Sequence, residues 1–118
     1  MSVEIKRTSR ELTKVERYRM TLSPEIKTMQ DIEDGAVIAV AAFCEFDDVN
    51  IETGEISNLL GILDEDGTSY VTQSATFRRS FYDIADIFAN ESGYDAFSVK
   101  KISGKNKAGR PFVNCVLA

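Results

Sequence analysis

The chain contains no histidine and no tryptophan, and only two prolines and two cysteines in 118 residues. Lack of histidine removes the commonest general base, the commonest metal ligand and every histidine-dependent triad, which weighs against catalysis. The two cysteines, Cys44 and Cys115, lie inside apolar runs and fit neither a zinc spacing nor a CxxC motif, so each reads as a small buried hydrophobe. A disulfide between them is allowed by count alone, but nothing else points to an oxidising compartment. No apolar run approaches the roughly 20 residues that a membrane-spanning helix needs. The opening Met-Ser-Val-Glu-Ile-Lys-Arg-Thr-Ser-Arg has no apolar stretch behind its charges, so no secretory leader is expected and the cytoplasm is the default. No Walker-type phosphate cradle and no EF-hand spacing is present.

What is there is the composition of one ordinary globular domain, 43% hydrophobic and 28% charged. The net charge of −5 argues at first against a polyanionic partner, but its distribution matters more than its sum. Residues 25–76 carry twelve carboxylates against Lys27 alone, whereas residues 98–118 carry five bases and no acid. Residues 1–24 are also basic, with Lys6, Arg7, Arg10, Lys14, Arg17 and Arg19 against three glutamates. The chain is therefore bipolar along its length.

The periodicity predicts a β-rich order. Residues 1–16 are polar and weakly periodic, and read as a flexible arm ahead of a single domain over 17–118. Tyr18, Met20 and Leu22 alternate with polar residues, which predicts a short extra strand ended by Pro24. Ala36–Phe46 alternates strongly and reads as the first long strand. Ile56–Leu63 and Thr68–Ser74 follow as the second and third, joined by Asp64-Glu65-Asp66-Gly67, a hairpin signal. The period then changes: Phe77, Phe81, Ile84, Ala85 and Phe88 recur at three and four residues and predict a helix over about 76–90 with Thr76 as N-cap. Ala96–Ile102 and Phe112–Leu117 are the last two strands, around a basic, glycine-bearing loop at Ser103–Pro111. Three strands, a helix and two strands is the order of the OB-fold, a five-stranded Greek-key barrel with a helix between strands three and four. The expected class is therefore all-β with one helix and an extra N-terminal strand.

The sharpest candidate site is the basic segment holding Lys100, Lys101, Lys105, Lys107 and Arg110, whose cations suit a phosphate backbone. Aromatic rings are the second requirement, because a base stacks on any of them without regard to sequence. The candidates are Tyr70 on the third strand, Phe43 and Phe46 on the first, Phe112 beside the basic loop, and Tyr18 between Arg17 and Arg19. A phenylalanine in a strand is more often core, and a regular strand turns only one of Phe43 and Phe46 outward. Arg78 and Arg79 at a helix start oppose the helix dipole, which hints at an anionic neighbour or ligand against the plainer reading of a solvated face. The acid clusters at 31–34, 47–48 and 64–66 all sit in turns, so they argue for electrostatic steering over a metal centre. No cofactor or catalytic residue is expected.

With these pieces placed, the chain resembles the single-stranded DNA-binding proteins of small protein-primed Bacillus phages and their relatives in other Gram-positive phages. The resemblance rests on Ile32-Glu-Asp-Gly-Ala-Val-Ile, Ile62-Leu-Asp-Glu-Asp-Gly-Thr-Ser-Tyr70, a helix containing Asp83-Ile-Ala-Asp-Ile, Phe97-Ser-Val-Lys100 and Gly104-Lys-Asn-Lys-Ala-Gly109, in that order over residues 30–117. It implies an OB-fold, tyrosines that stack bases, sequence-independent binding of single-stranded DNA, and a role in phage replication in the host cytoplasm. Phage replication proteins become candidate partners. Tyr70 matches a family tyrosine after the Asp-Gly turn, while Phe46 falls near another but is phenylalanine here. The acidic tail of bacterial single-stranded DNA-binding proteins has no counterpart, so recruitment through such a tail is not expected. Two other readings stand beside this one: a protein-interaction module presenting its acidic face, and a carboxylate–metal nuclease. Whether the protein is a monomer or a homodimer is open at this stage.

Overall fold

The computed structural model describes residues 2–118. In chain order its elements are β1 (Ser2–Thr8), α1 (Lys14–Thr21), β2 (Lys27–Thr28), a 3-10 turn (Met29–Asp31), β3 (Val37–Val49), β4 (Ile56–Asp64), β5 (Ser69–Thr72), α2 (Ala75–Phe88), β6 (Ala89–Asn90), β7 (Gly93–Tyr94), β8 (Phe97–Lys105) and β9 (Pro111–Leu117). Seven strands form one curled sheet in the order β2-β5-β4-β3-β8-β9, with β1 also paired to β3; β6 and β7 make a separate small ribbon.

The long strand β3 organises the sheet. One edge pairs with β4 along most of its length. The other edge is shared in tandem: Val37–Val40 pair with β8, and Cys44–Val49 pair with β1. A register shift between Val40 and Ala42 lets β3 bend between these two partners. It also resets the alternation. Ile38, Val40 and Phe43 enter the main core, whereas Ala42, Cys44 and Phe46 enter a second cluster on the opposite face.

The main core is filled by α2. Its stripe buries Phe77, Phe81 and Ala85 and half-buries Ile84 and Phe88, as the three-and-four spacing predicts. Phe43 meets the Phe81 ring edge-on at 5.0 Å, and Phe88 stacks on Phe97 at 5.3 Å. The cap is Ser74, not Thr76: Ser74 Oγ accepts from Phe77 N at 3.1 Å. The same hydroxyl donates to Val113 O in β9 at 3.2 Å. No backbone ladder joins β5 to β9 among the described residues, so this side-chain bond spans the gap where the sheet stays open. The result is a mostly β, half-barrel sheet with two helices.

The N-terminal expectations need correction. Residues 1–16, read as a loosely attached arm, form from residue 2 onward the paired strand β1, a turn and the start of α1; Met1 lies outside the described residues. Ser9 extends the attachment, because Ser9 N donates to Phe43 O and Ser9 Oγ accepts from Phe43 N, both at 2.9 Å. The strand expected at Tyr18–Leu22 is the helix α1. Its cause is a capping box: Thr13 Oγ1 accepts from Glu16 N, and Glu16 Oε1 accepts from Thr13 N. Arg10 holds the Glu16 carboxylate with two hydrogen bonds of 2.9 and 2.7 Å. That guanidinium, helped by the Thr13 amide, lowers the Glu16 carboxyl to about 2.

Helix α1 lies on the outer face of the sheet, over the second cluster. Leu12 and Met20 close on Ala42, Cys44, Phe46 and Leu63 there. Gly61 in β4 is the point of closest approach: a Cβ placed on it would stand 3.0 Å from the Met20 carbonyl oxygen and 3.3 Å from Phe46. Both cysteines are free and buried, in different clusters. Burial pushes the Cys44 thiol up to about 11 and the Cys115 thiol up to about 12, so neither is a ready nucleophile.

Candidate nucleic-acid interface

The basic segment is a hairpin with a tighter turn than expected. Strand β8 runs to Lys105 and β9 begins at Pro111, so only residues 106–110 form the turn. Asn106 holds that turn together: its side-chain oxygen accepts from Ala108 N and Arg110 N, and its backbone N–H donates to Arg110 O. Lys100, Lys105, Lys107 and Arg110 are exposed, and none forms an ion pair among the described residues. Phe112 lies half-buried across Gly104, its cross-strand partner, where an added Cβ would stand 2.6 Å from the ring. A glycine there gives the ring a flat seat.

Lys101 departs from the sequence expectation. It is 3% exposed and does not belong to the cationic surface. In β8 it continues the inward series of Phe97 and Val99, and at the end of that series its ammonium donates to Ile32 O at 2.6 Å and pairs with Asp34 at 3.0 Å. Ser103 and Lys101 together hold the Asp34 carboxyl below its ordinary value. This lysine fastens the segment before β3 to the hairpin.

The aromatic candidates divide by exposure. Phe43 and Phe46 are each 1% exposed, so neither offers a face to a base. The register shift in β3 explains why both are buried: it turns them into opposite clusters of a sheet that is covered on both faces. Tyr70 is half-buried against the main core, and burial together with Asp64 and Asp66 raises its hydroxyl above the ordinary value. Tyr82 donates to Glu45 and lies under the Arg7 guanidinium at 4.9 Å. Tyr94 accepts from Arg7 and meets Phe43 edge-on. Tyr18 is different. On α1 it is 52% exposed, and it is the only aromatic among the exposed large hydrophobics of the described residues.

The other cations fall into two groups. Arg17 and Arg19 are exposed on α1, as is Lys14, which the sequence reading did not select. Arg19 and Lys27 line a shallow cleft of ≈ 430 Å³ beside the β4–β5 turn. Arg79 is exposed on α2, while Arg78 is partly buried, with its Nε lacking a hydrogen-bond partner among the described residues. Neither forms an ion pair among the described residues. The acidic residues Asp47, Asp48, Glu52 and Glu55 gather at the β3–β4 end, where Asn58 donates to Asp47. The hairpin lies at the other end of β3, because β8 runs from its pairing with Val40 past Val37. No grouping of three or more potential ligands able to hold a metal occurs among the described residues.

A curled sheet plugged by one helix, with a rigid hairpin of unpaired cations, fits the class of small β proteins that bind nucleic acid. The chain belongs to the Phi29-type family of phage single-stranded DNA-binding proteins, whose pattern matches residues 5–118, nearly its whole length. No curated protein and no solved structure matches the chain.

Proposed function

We propose that this protein coats single-stranded DNA without sequence preference during phage DNA replication, and that it does so without catalysis. The observation that carries this reading is the set of exposed, unpaired cations at Lys100, Lys105, Lys107 and Arg110 on a hairpin held rigid by Asn106. These groups neutralise phosphates, and the half-buried rings of Phe112 and Tyr70 offer edges to bases. The sheet order β5-β4-β3-β8-β9, with α2 between β5 and β8, supports an OB-fold Greek key whose third and fifth strands are left unjoined. Such a protein acts in the cytoplasm of the bacterial host, where replicating phage DNA is found.

The test is a titration with oligo-dT and a matched duplex across salt concentrations. Binding to the single strand should weaken with a log–log slope of roughly −0.7 per phosphate contact. Replacing Lys105, Lys107 and Arg110 together with alanine should reduce that slope by roughly 2. A flat salt response would sink the reading.

A second reading, a protein-interaction module, is favoured by the β3–β4 end, where Ile51 and Ile56 are exposed among the carboxylates. Capture of a basic protein by that end, with no affinity for oligonucleotides, would establish it instead.

A further inference from the structure

Helix α1 occupies the outer face of β4 and β5, the face an OB-fold ordinarily offers to a ligand. It is seated closely. Met20 and Leu12 are buried beneath it, the Met20 carbonyl oxygen lies 3.0 Å from where a Cβ on Gly61 would stand, and Arg19 Nη1 lies 3.8 Å from a Cβ built on Gly67. The capping box and the Arg10–Glu16 pair fix its first turn. Its outward surface carries Val15, Tyr18 and Leu22 at helical spacing, all at least half exposed, beside the exposed cations Lys14, Arg17 and Arg19. The helix's one acid, Glu16, is already engaged by Arg10. The outward surface is therefore cationic with a free ring at its centre, the combination that a phosphate-linked base requires.

We propose that α1 stays in place on DNA binding and supplies the principal stacking platform: a base lies on the Tyr18 ring while Arg17 and Arg19 hold the flanking phosphates. This rests on the single-stranded DNA reading above and moves its stacking site from the sheet to the helix. The occupant is a nucleic-acid strand, because the apolar stripe is bordered by Lys14, Arg17 and Arg19, none of them in an ion pair among the described residues, against the single carboxylate of Glu25 beside Tyr18. A second copy of this chain would bring like charges together.

The experiment compares Tyr18→Ala and Tyr18→Phe with the unaltered protein for affinity to oligo-dT, with thiol labelling of Cys44 as a reporter of α1. Cys44 is buried in the cluster that α1 and β1 cover, so lifting of the helix would open it to a reagent. Tyr18→Ala should weaken binding roughly 5- to 160-fold, the span seen for removal of one stacking ring. Tyr18→Phe should bind within about twofold of the parent, since the ring face is retained. Cys44, identified by peptide mapping, should be labelled no faster with saturating oligonucleotide than without it. Circular dichroism and urea midpoints confirm that both variants fold, as expected for an exposed position.

Normal binding by Tyr18→Ala, alongside weakened binding by the Lys105/Lys107/Arg110 variant, would overturn the helix platform and leave the DNA-binding reading intact. Faster Cys44 labelling with DNA would overturn it differently, by showing that the sheet face is uncovered on binding. A change of sedimentation from oligomer to monomer in Tyr18→Ala, at unchanged DNA affinity, would assign the stripe to self-association. Absence of oligo-dT binding by the unaltered protein would remove the reading itself.

Discussion

Lys101→Met and Lys105→Met are expected to separate folding from binding. The first leaves the Ile32 carbonyl without its partner and Asp34 with Ser103 alone, and should lower stability by roughly 1–3 kcal/mol, read from urea unfolding, with oligo-dT affinity little changed. The second should leave unfolding unaltered and reduce the salt slope by roughly 0.7. The two lysines look alike in a charge count, which is why the whole basic run reads as surface. The distinguishing signal was present: Lys101 is the third of the alternate positions Phe97, Val99 and Lys101, and an inward-facing strand position buries whatever it carries. Tyr18 illustrates the reverse. Its ring and flanking arginines are legible in the sequence, but its exposure is not, since that depends on which side of α1 meets Gly61.

Among the elements, α2 and the strands β3, β4, β5, β8 and β9 are readable because their residues repeat one period, whereas β1 is not. Helix α1 was not, because the alternation of Tyr18, Met20 and Leu22 is too short to outweigh the Thr13–Glu16 capping box. The register shift in β3 is likewise invisible in the chain, since it arises from sharing one edge between β8 and β1. Two outcomes test the seat of α1. Gly61→Ala should cost roughly 1–3 kcal/mol, as overpacking does, and should make Cys44 more accessible to thiol reagents. Acid should act through Glu16. Its folded carboxyl titrates at about 2, below the ordinary value of 4.5, so its contribution is complete above that ordinary value and is lost as pH falls toward 2. Unfolding followed between pH 6 and 2 should therefore show a steeper loss for the parent than for Glu16→Gln, and equal slopes would remove Glu16 from the account.

At the scale of the whole molecule, a chain of net charge −5 meets a polyanion by separating its charges. The carboxylates of the β3–β4 loop and the cations of the β8–β9 hairpin stand at opposite ends of β3. Glu52→Gln with Glu55→Gln should raise the oligo-dT association rate at low salt. The gain should vanish as the screening length falls toward roughly 8 Å near physiological ionic strength. A salt-independent gain would mean that these carboxylates contact the strand directly. The open side of the sheet has a consequence of another kind. Because the Ser74 hydroxyl both starts α2 and reaches across to Val113, the gap between β5 and β9 is stitched at the point where the plugging helix begins. The molecule thus has a seam, and loosening the first turn of α2 and parting that seam become a single event.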